Sequence, residues 1–374
     1  MKQLKRIFRL KNFLILGSVL SIIALLLSYL SVFVHPETIR YIPIFGLGYL
    51  IILGIHLLLL FVWIFMKSRA WLLIMFGILL LGGNLHFRSI SIGWDDENTL
   101  KSEEYKVLSY NVRLFDVYNQ DPAKAKKNKK AIFNFLESSK ADIYCFQEFY
   151  HQDGSDEYNT KEILSDRLNT PYHHARLSVS DYRKQSFGVA IFSKYEIVSQ
   201  GEVSFDEVEK TFNYCIYVDI VAKKDTVRIY NVHLQSIHFQ KDDYALFNED
   251  NPQASNENSQ AFKLLNKVLD AYPIRAEQAV KLTEHMKLSP HPIIVCGDFN
   301  DAPMSYTYNQ FHRFLEDAFL NTSFGIGRTY AGKVPAGRID YIFYDESMGS
   351  SNFVIQKEKL SDHYAISCSI FKKE

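Results

Sequence analysis

Carboxylates, amides and imidazoles stand at the ends of apolar runs along the last two thirds of this 374-residue chain. Asn111 closes SYN (109–111), Glu148 closes QE (147–148), and His233 lies in NVHL (231–234). GDFN (297–300) sets Asp298 and Asn300 two apart, RIDYIF (338–343) carries Asp340, and SDH (361–363) puts Asp362 next to His363. Side chains at strand ends project from a rigid sheet into loops, where binding and catalytic groups concentrate. Glu148 with Asn111 offers hard oxygen ligands, which suit Mg²⁺ or Mn²⁺; zinc would want more Cys or His. A histidine near a carboxylate can hold or pass a proton close to neutral pH. Each motif alone is weak evidence. GDFN is a common polar turn, SDH fits a helix cap, and Asn111 can simply end a strand.

The elements that must carry these motifs are legible from the period of the apolar residues. Residues 105–112, 141–148, 187–193, 213–222, 226–234, 292–300, 337–345, 352–358 and 363–371 read as strands. Helices are expected at about 122–139, 258–271 and 274–288. Many strands with few intervening helices predict an α/β fold made of two packed sheets flanked by helices, an αββα sandwich. Residues 238–260 are polar, contain Pro252 and read as an inserted surface loop, either an excursion or a lid.

Taken in order, the six motifs resemble the endonuclease/exonuclease/phosphatase family, with its deoxyribonuclease-I-like fold. That family includes secreted nucleases, abasic-site endonucleases, neutral sphingomyelinases and inositol-polyphosphate 5-phosphatases. The resemblance runs over residues 105–371 and leaves out the N-terminal third and the 238–260 insertion. It implies a metal-dependent phosphoesterase. Glu148 takes the principal metal role with Asn111 beside it, and Asp362 is a further ligand, direct or through water. Asp298 orients or deprotonates a catalytic group, and Asn300 donates to a non-bridging phosphate oxygen. His363 with Asp340 looks like a carboxylate–imidazole dyad. His233 matches the histidine of nuclease- and sphingomyelinase-type members, and which histidine is acid and which is base stays open. Such residues meet the needs of phosphate-ester hydrolysis: a cation, an activated water and a proton for the leaving oxygen. Arg338 and Thr329 lie in TYAGKVPAGRIDYIF, a stretch that also resembles the family, and Arg338 is expected to support the site rather than touch substrate.

The remaining candidates read differently. His173 and His174 are adjacent, so in a strand they face opposite ways and make a poor metal pair. His151, His238, His285, His291 and His312 lack partners that the sequence names. Lys124, Lys126, Lys127, Lys129 and Lys130 cluster at the start of the first helix; a solvated face is the expectation, with attraction of phosphate as the alternative. Cys145, Cys215, Cys296 and Cys368 sit in apolar runs without CxxC spacing and read as buried small side chains.

Residues 1–87 have another character. Uncharged runs at 13–34, 41–66 and 70–87 predict three transmembrane helices, followed by a linker at 88–104 and a catalytic domain at 105–374. A cleaved signal peptide is disfavoured, because the first run is too long and lacks a small-x-small site before His35 and Pro36. His56 within the second run reads as a helix–helix hydrogen bond. Lys2, Lys5, Arg6, Arg9 and Lys11 precede the first run, and Lys67 and Arg69 fill the second loop, against Arg40 alone in the first. If all three runs span, the positive-inside rule places the catalytic domain outside the cytoplasmic membrane. If the third lies in the interface, that domain is cytoplasmic.

The net charge of zero hides an asymmetry: residues 95–374 hold 33 basic against 41 acidic side chains. A tight nucleic-acid binder usually shows a basic surface, so charge gives the nuclease reading no support. Three functions compete: a phosphodiesterase acting on a lipid or envelope-derived ester, a nuclease acting on DNA or RNA, and a catalytically inactive membrane-binding module. Retention of all eight candidate positions argues against the last. The expected partners are the lipid bilayer and a phosphate-ester substrate.

Overall fold

The computed structural model describes residues 2–93, 104–180, 185–205, 213–222, 225–237, 257–332 and 337–373. The N-terminal third is helical: α1 (Lys2–Leu30), α2 (Ile42–Leu47), α3 (Tyr49–Phe65), α4 (Arg69–Gly82), a 3₁₀ turn at Gly83–Leu85 and α5 (His86–Ser89). Then follow β1 (Ser91–Ile92), β2 (Glu104–Asn111), α6 (Pro122–Ser139), β3 (Ile143–Gln152), α7 (Thr160–Leu168), β4 (Tyr172–Ser180), β5 (Gln185–Ser193) and β6 (Glu196–Val203). The second half holds β7 (Cys215–Ala222), β8 (Asp225–His233), α8 (Glu257–Lys287), β9 (Ile293–Asp298) and α9 (Tyr306–His312). It ends with β10 (Leu315–Asp317), α10 (Ala318–Thr322), β11 (Phe324–Gly325), β12 (Asp340–Asp345), β13 (Met348–Gln356) and β14 (Ala365–Lys372).

Two six-stranded sheets, ordered β13-β14-β2-β3-β5-β4 and β10-β12-β9-β8-β7-β6, pack face to face. Their inner faces interdigitate Val107, Ile143, Cys145, Ile191, Val218, Ile229, Ile294 and Ile366. Every second residue of each strand points there, as the two-residue period requires. The outer face of the first sheet is covered by α6 and α7 through Ile132, Phe133, Leu136 and Leu164. The second is covered by α8 and α9 through Ala279, Leu282, Tyr308 and Phe311. Each sheet contains one parallel pair, β2 with β3 and β8 with β9. Parallel neighbours end at the same edge, so both pairs deliver their C-terminal residues to one rim of the sandwich.

The αββα sandwich is therefore as expected, and several boundaries are corrected. The two helices expected at 258–271 and 274–288 are one, α8, with Pro273 inside it. Leu269 and Tyr272 before the proline, and Ala276, Ala279 and Leu282 after it, are buried, so packing carries the helix through the lost backbone bond. Strands β4 and β6 and helix α7 were not expected; β6 is mostly exposed, with little apolar period to reveal it. The linker assigned to 88–104 begins as structure: Arg88 and Ser89 finish α5, and Ser91 and Ile92 pair with Gly325 and Phe324. Residues 94–103, and 238–256 of the insertion, lie outside the described residues; 257–260 open α8.

Of the three apolar runs, two form helices long and apolar enough to cross a membrane, Lys11–Leu30 and Arg69–Ser89. The run at 41–66 breaks after Leu47 into α2 and a 17-residue α3, at the lower limit of a spanning helix. The break has a local cause. Gly46 presses against the Met304 backbone, where a Cβ would overlap the carbonyl oxygen. Met304 is itself buried among Leu25, Tyr29, Val32, Tyr49 and Leu53. His56 bonds Ser21 Oγ (3.2 Å) and the Met75 carbonyl (3.2 Å), tying three helices together.

Candidate active site

Asn111 ends β2, and its amide is the first fixed point of the site. Its Nδ2 donates to Glu148 Oε1 at 3.2 Å and to Asp298 Oδ2 at 3.0 Å. The Arg113 N–H donates to its Oδ1 at 3.1 Å, leaving that oxygen one further lone pair. Behind Asn111 the chain makes a left-handed turn in which Arg113, Leu114, Phe115 and Asp116 all have φ between 46° and 60°. Non-glycine residues pay for this conformation. It is held by the buried Phe115 ring against Phe133 and Phe149, and by Asp116 accepting from Asn119 and Asn128.

Glu148 reaches the site through a bulge in β3. The register against β5 shifts between Phe146 and Phe149, and Glu148 has φ 48°. Phe146 and Phe149, three apart, thereby both pack toward α6 and α7, which an unbroken alternation forbids. Gln147 turns between the sheets, where its Nε2 donates to Asn231 Oδ1 at 2.6 Å. Asn231 Nδ2 donates in turn to the Phe146 and Ala190 carbonyls, both at 2.9 Å. This amide pair fastens the two sheets directly beneath the site. Sequence reasoning passed over it, although a Gln and an Asn inside apolar strands signal buried polar groups that need partners.

The second sheet contributes from adjacent positions. His233 and Asp340 are the register partners of Asp298 on β8 and β12. Gly297 lets β9 lie against β8, since a Cβ there would collide with the Val232 carbonyl. Asp298 Oδ1 accepts from the Asn300 N–H at 2.9 Å, holding the turn in which Asn300 has φ 52°. Asn300 Nδ2 donates to the Leu234 carbonyl at 3.0 Å, and the buried Arg275 guanidinium donates to the Asn300 carbonyl. Thr329 Oγ1 accepts from the Ile339 and Asp340 N–H groups (3.0 and 3.1 Å), which fixes the start of β12.

His363 Nδ1 lies 3.0 and 3.1 Å from the two Asp340 oxygens, and the Tyr330 ring packs edge-on against the imidazole. Its Nε2 is 3.6 Å from Asp298 Oδ2, and His233 Nε2 is 3.8 Å from the same oxygen. Both His233 nitrogens are buried without a protein partner. Asp362 stands beside Arg113 (3.5 Å) and accepts from Ser361 Oγ, which also bonds the Asn111 carbonyl. Burial pushes the Glu148 carboxyl up, the two histidines oppose this, and the Asp362 charge adds to it. Asp298 is likewise pushed up by burial and by Asp340, against the pull of His363 and His233. Burial disfavours the imidazolium of His363, but Asp340 and Asp298 outweigh it and raise the group well above its ordinary value.

All eight residues singled out from the sequence therefore gather at one rim. Arg338 stays beneath it, its guanidinium paired with the buried Asp317 at 2.5 Å and bonded to the Arg88 carbonyl. The lysine cluster disperses. Lys129 is buried over the Tyr158 ring and Lys126 pairs with Glu157, while Lys124 lines a cleft of about 680 Å³ with Arg113, Lys359 and Asp362. All four cysteines are free and buried.

Two of the described carboxylates and an imidazole, Asp298, Asp340 and His363, present ligand-type atoms within 4.8 Å of one another. Glu148, Asn111 and Asp362 form the neighbouring cluster, in which a half-buried acid feels the charge of a second acid. Either arrangement is of the kind that holds a divalent metal.

Residues 108–363 match the profile of the Endonuclease/Exonuclease/phosphatase family, and residues 11–89 match a family described only as a domain of unknown function. No curated protein sequence matches the chain. Among solved structures, an endonuclease/exonuclease/phosphatase family protein from Bacteroides thetaiotaomicron is 17% identical, covers 73% of this chain and 99% of its own, and superposes with a TM-score of 0.52. The human Nocturnin catalytic domain, with a bound sulfate anion, is 16% identical over 72% of this chain and 95% of its own (TM-score 0.50). A mannosyl-6-phosphatase from B. thetaiotaomicron is 17% identical over 71% and 99% (TM-score 0.50). At these identities the likeness concerns the fold.

Proposed function

Because the chain belongs to the endonuclease/exonuclease/phosphatase family, hydrolases of phosphate esters, we propose that it is a membrane-anchored phosphodiesterase dependent on Mg²⁺ or Mn²⁺. The observation that carries the reading is the convergence on Asp298 Oδ2 of the Asn111 amide and two imidazole Nε2 atoms. The Asp340–His363 contact is already accounted for by an imidazole–carboxylate hydrogen bond, so we assign that pair to proton handling. The metal is assigned to Glu148, with the spare lone pair of Asn111 and with Asp362. The Asp362 charge pushes the Glu148 carboxyl up, a repulsion that a divalent cation shared between the two acids would relieve. When bound, the cation would neutralise charge developing on the phosphoryl oxygens.

The chain's own groups supply the rest. Asp340 fixes the proton of His363 on Nδ1 and stabilises the imidazolium, so Nε2 faces Asp298 and the scissile group. His233, buried and unpartnered, is free to donate to a phosphate or leaving oxygen. Asn300 keeps one of its two amide N–H donors for a non-bridging oxygen.

Anchoring is supported by the two helices of spanning length and by large apolar side chains left exposed on them, among them Leu20, Ile23, Leu73 and Leu80. The ends of α1 and α4–α5 meet the catalytic domain, Ser31 at Met304 and Arg88 at Asn309. The start of α1 and the Lys67–Arg69 turn are at the opposite end. With that end inside, the catalytic domain is extracytoplasmic.

A nuclease reading is favoured by one feature, the Arg113, Lys124 and Lys359 cleft beside Asp362. The test is hydrolysis of bis(4-nitrophenyl) phosphate by the full chain in detergent, with plasmid DNA and RNA in parallel. Activity should vanish with EDTA and return with Mg²⁺ or Mn²⁺. Full activity after exhaustive chelation overturns the metal assignment, and cleavage of nucleic acid alone favours the nuclease.

A further inference from the structure

The last apolar helix runs directly into the catalytic domain. Two and three residues after the end of α5, Ser91 pairs with Gly325 and Ile92 with Phe324. Ser91 Oγ donates to the Leu320 and Ser323 carbonyls (3.0 and 2.6 Å), so this short ladder is bolted to the end of α10. Its outer side is apolar and open: Ile92 is 63%, Phe324 80% and Ile326 51% exposed. Three large apolar side chains adjoining the exit of a membrane helix form a patch that water leaves unsatisfied and a bilayer surface would cover.

Behind the patch lies a cleft of about 610 Å³. Phe324, Ile326, Phe353 and Ile355 line it, and Arg328 and Lys357, both at the exposed surface, supply cations. Its wall also includes Tyr364, the residue after His363. Arg328 donates through Nε to the carbonyl of Tyr330, whose ring packs on the His363 imidazole. The cleft thus joins exposed apolar side chains beside the apolar helix to two cations, and it touches the candidate site through Tyr364, the chain neighbour of His363, and through the Arg328–Tyr330 bond.

We propose that this cleft seats a membrane phospholipid, and that the substrate of the site is accordingly a phosphoester carried on a lipid. The apolar part enters between the Phe324–Ile326 edge and Phe353 with Ile355. The anionic headgroup meets Arg328 and Lys357, which match a phosphate in charge. The proposal rests on the phosphodiesterase reading above and narrows it to substrates presented by the bilayer in which the helices sit.

The experiment uses the full chain in phosphatidylcholine–phosphatidylglycerol nanodiscs that contain a phosphatidylcholine with a diazirine on its acyl chain. Irradiation should place adducts on residues 319–328 and 353–357; adducts confined to 11–89 overturn the proposal. In parallel, the double variant Phe324→Asp/Ile326→Asp is compared with the parent on two 4-nitrophenyl phosphodiesters. One is water-soluble, and the other carries a hexadecanoyl chain and is presented in phosphatidylcholine vesicles. The acylated-to-soluble rate ratio should fall tenfold or more at unchanged thermal midpoint and unchanged soluble turnover. An unchanged ratio, an equal loss on both esters, or a mass shift showing that the patch instead pairs two copies of the chain overturns it. If the parent hydrolyses neither ester, the phosphodiesterase reading fails, and the adducts still decide whether lipid occupies the cleft.

Discussion

Asp298 is buried with Asn111 as its side-chain donor and with two imidazoles just outside hydrogen-bond distance, so its charge state depends on theirs. In such a cluster the removal of one member changes the rest. Asp340→Asn keeps the shape and a hydrogen bond to His363 but removes the charge and invites the wrong tautomer. We expect kcat to fall by about 10²–10⁴, with metal affinity and thermal stability little changed. His363→Ala should lose about as much, and the double variant little more, because residues acting as one unit are non-additive. Losses that multiply in the double variant would mean the two act separately. Glu148→Gln tests the other cluster: the metal concentration for half-maximal rate should rise steeply, and turnover at saturating metal should fall. An unchanged metal requirement would move the ligand role to Asp298, Asp340 and His363. The residue types that carry these predictions were legible in the sequence because acids, amides and histidines at the ends of apolar runs are conspicuous. Their pairing was not: that Asn111 spans Glu148 and Asp298 depends on strands 187 positions apart in the chain.

Elements place these groups, and the places where the sequence misled are those where an element departs from its own period. The β3 bulge at Glu148 and the break between α2 and α3 serve contacts with distant segments, which local periodicity does not record. The same holds for the Gln147–Asn231 pair. Asn231→Leu would take from the carbonyls of Phe146 and Ala190 their side-chain donor and from Gln147 Nε2 its shortest acceptor, leaving it the longer contacts to Ser109 Oγ and the Cys145 carbonyl inside a fully buried layer. At roughly 1–3 kcal/mol for each unsatisfied buried group, a loss of about 2–4 kcal/mol is expected, read as a lower midpoint of thermal or denaturant unfolding. An unaltered midpoint would show that the sheets are held by their apolar faces alone. The left-handed turn at Arg113–Asp116 depends similarly on Phe115. Strands β2, β3, β8 and β9 were recognisable because each is an apolar run of β-forming residues, whereas β6 exposes most of its length and leaves no such trace.

At the scale of the molecule, the helical third and the sandwich are joined by more than a tether. The loop that leaves the Asp298–Asn300 turn passes through Asp301 to Met304, which is buried among the helices of the N-terminal third. Ser31 Oγ donates to the Met304 carbonyl at 3.0 Å, and Gly46 packs on the same peptide. Arg40 pairs with Asp270 on α8, Arg88 Nη1 bonds Asn309, and the Arg88 carbonyl accepts from Arg338. Arg338 is buried with Asp317, so removing its second partner, the Arg88 carbonyl, leaves the Nη2 donor unsatisfied in the interior, at a cost of about 1–3 kcal/mol. Residues 94–374 expressed alone would therefore lose the seat of the loop that follows Asn300 and one anchor of the strand that begins at Asp340. We expect that fragment to melt lower than the full chain and to turn over bis(4-nitrophenyl) phosphate at least tenfold more slowly. The conservative counterpart in the full chain is Gly46→Val, whose side chain would strike the Met304 carbonyl. It should lower kcat while leaving the metal requirement unchanged, since it displaces the loop after Asn300 and leaves Glu148 and Asn111 untouched. A fragment with the full chain's kcat, or a Gly46→Val enzyme indistinguishable from the parent, would reduce the helical third to an anchor with no part in holding the site.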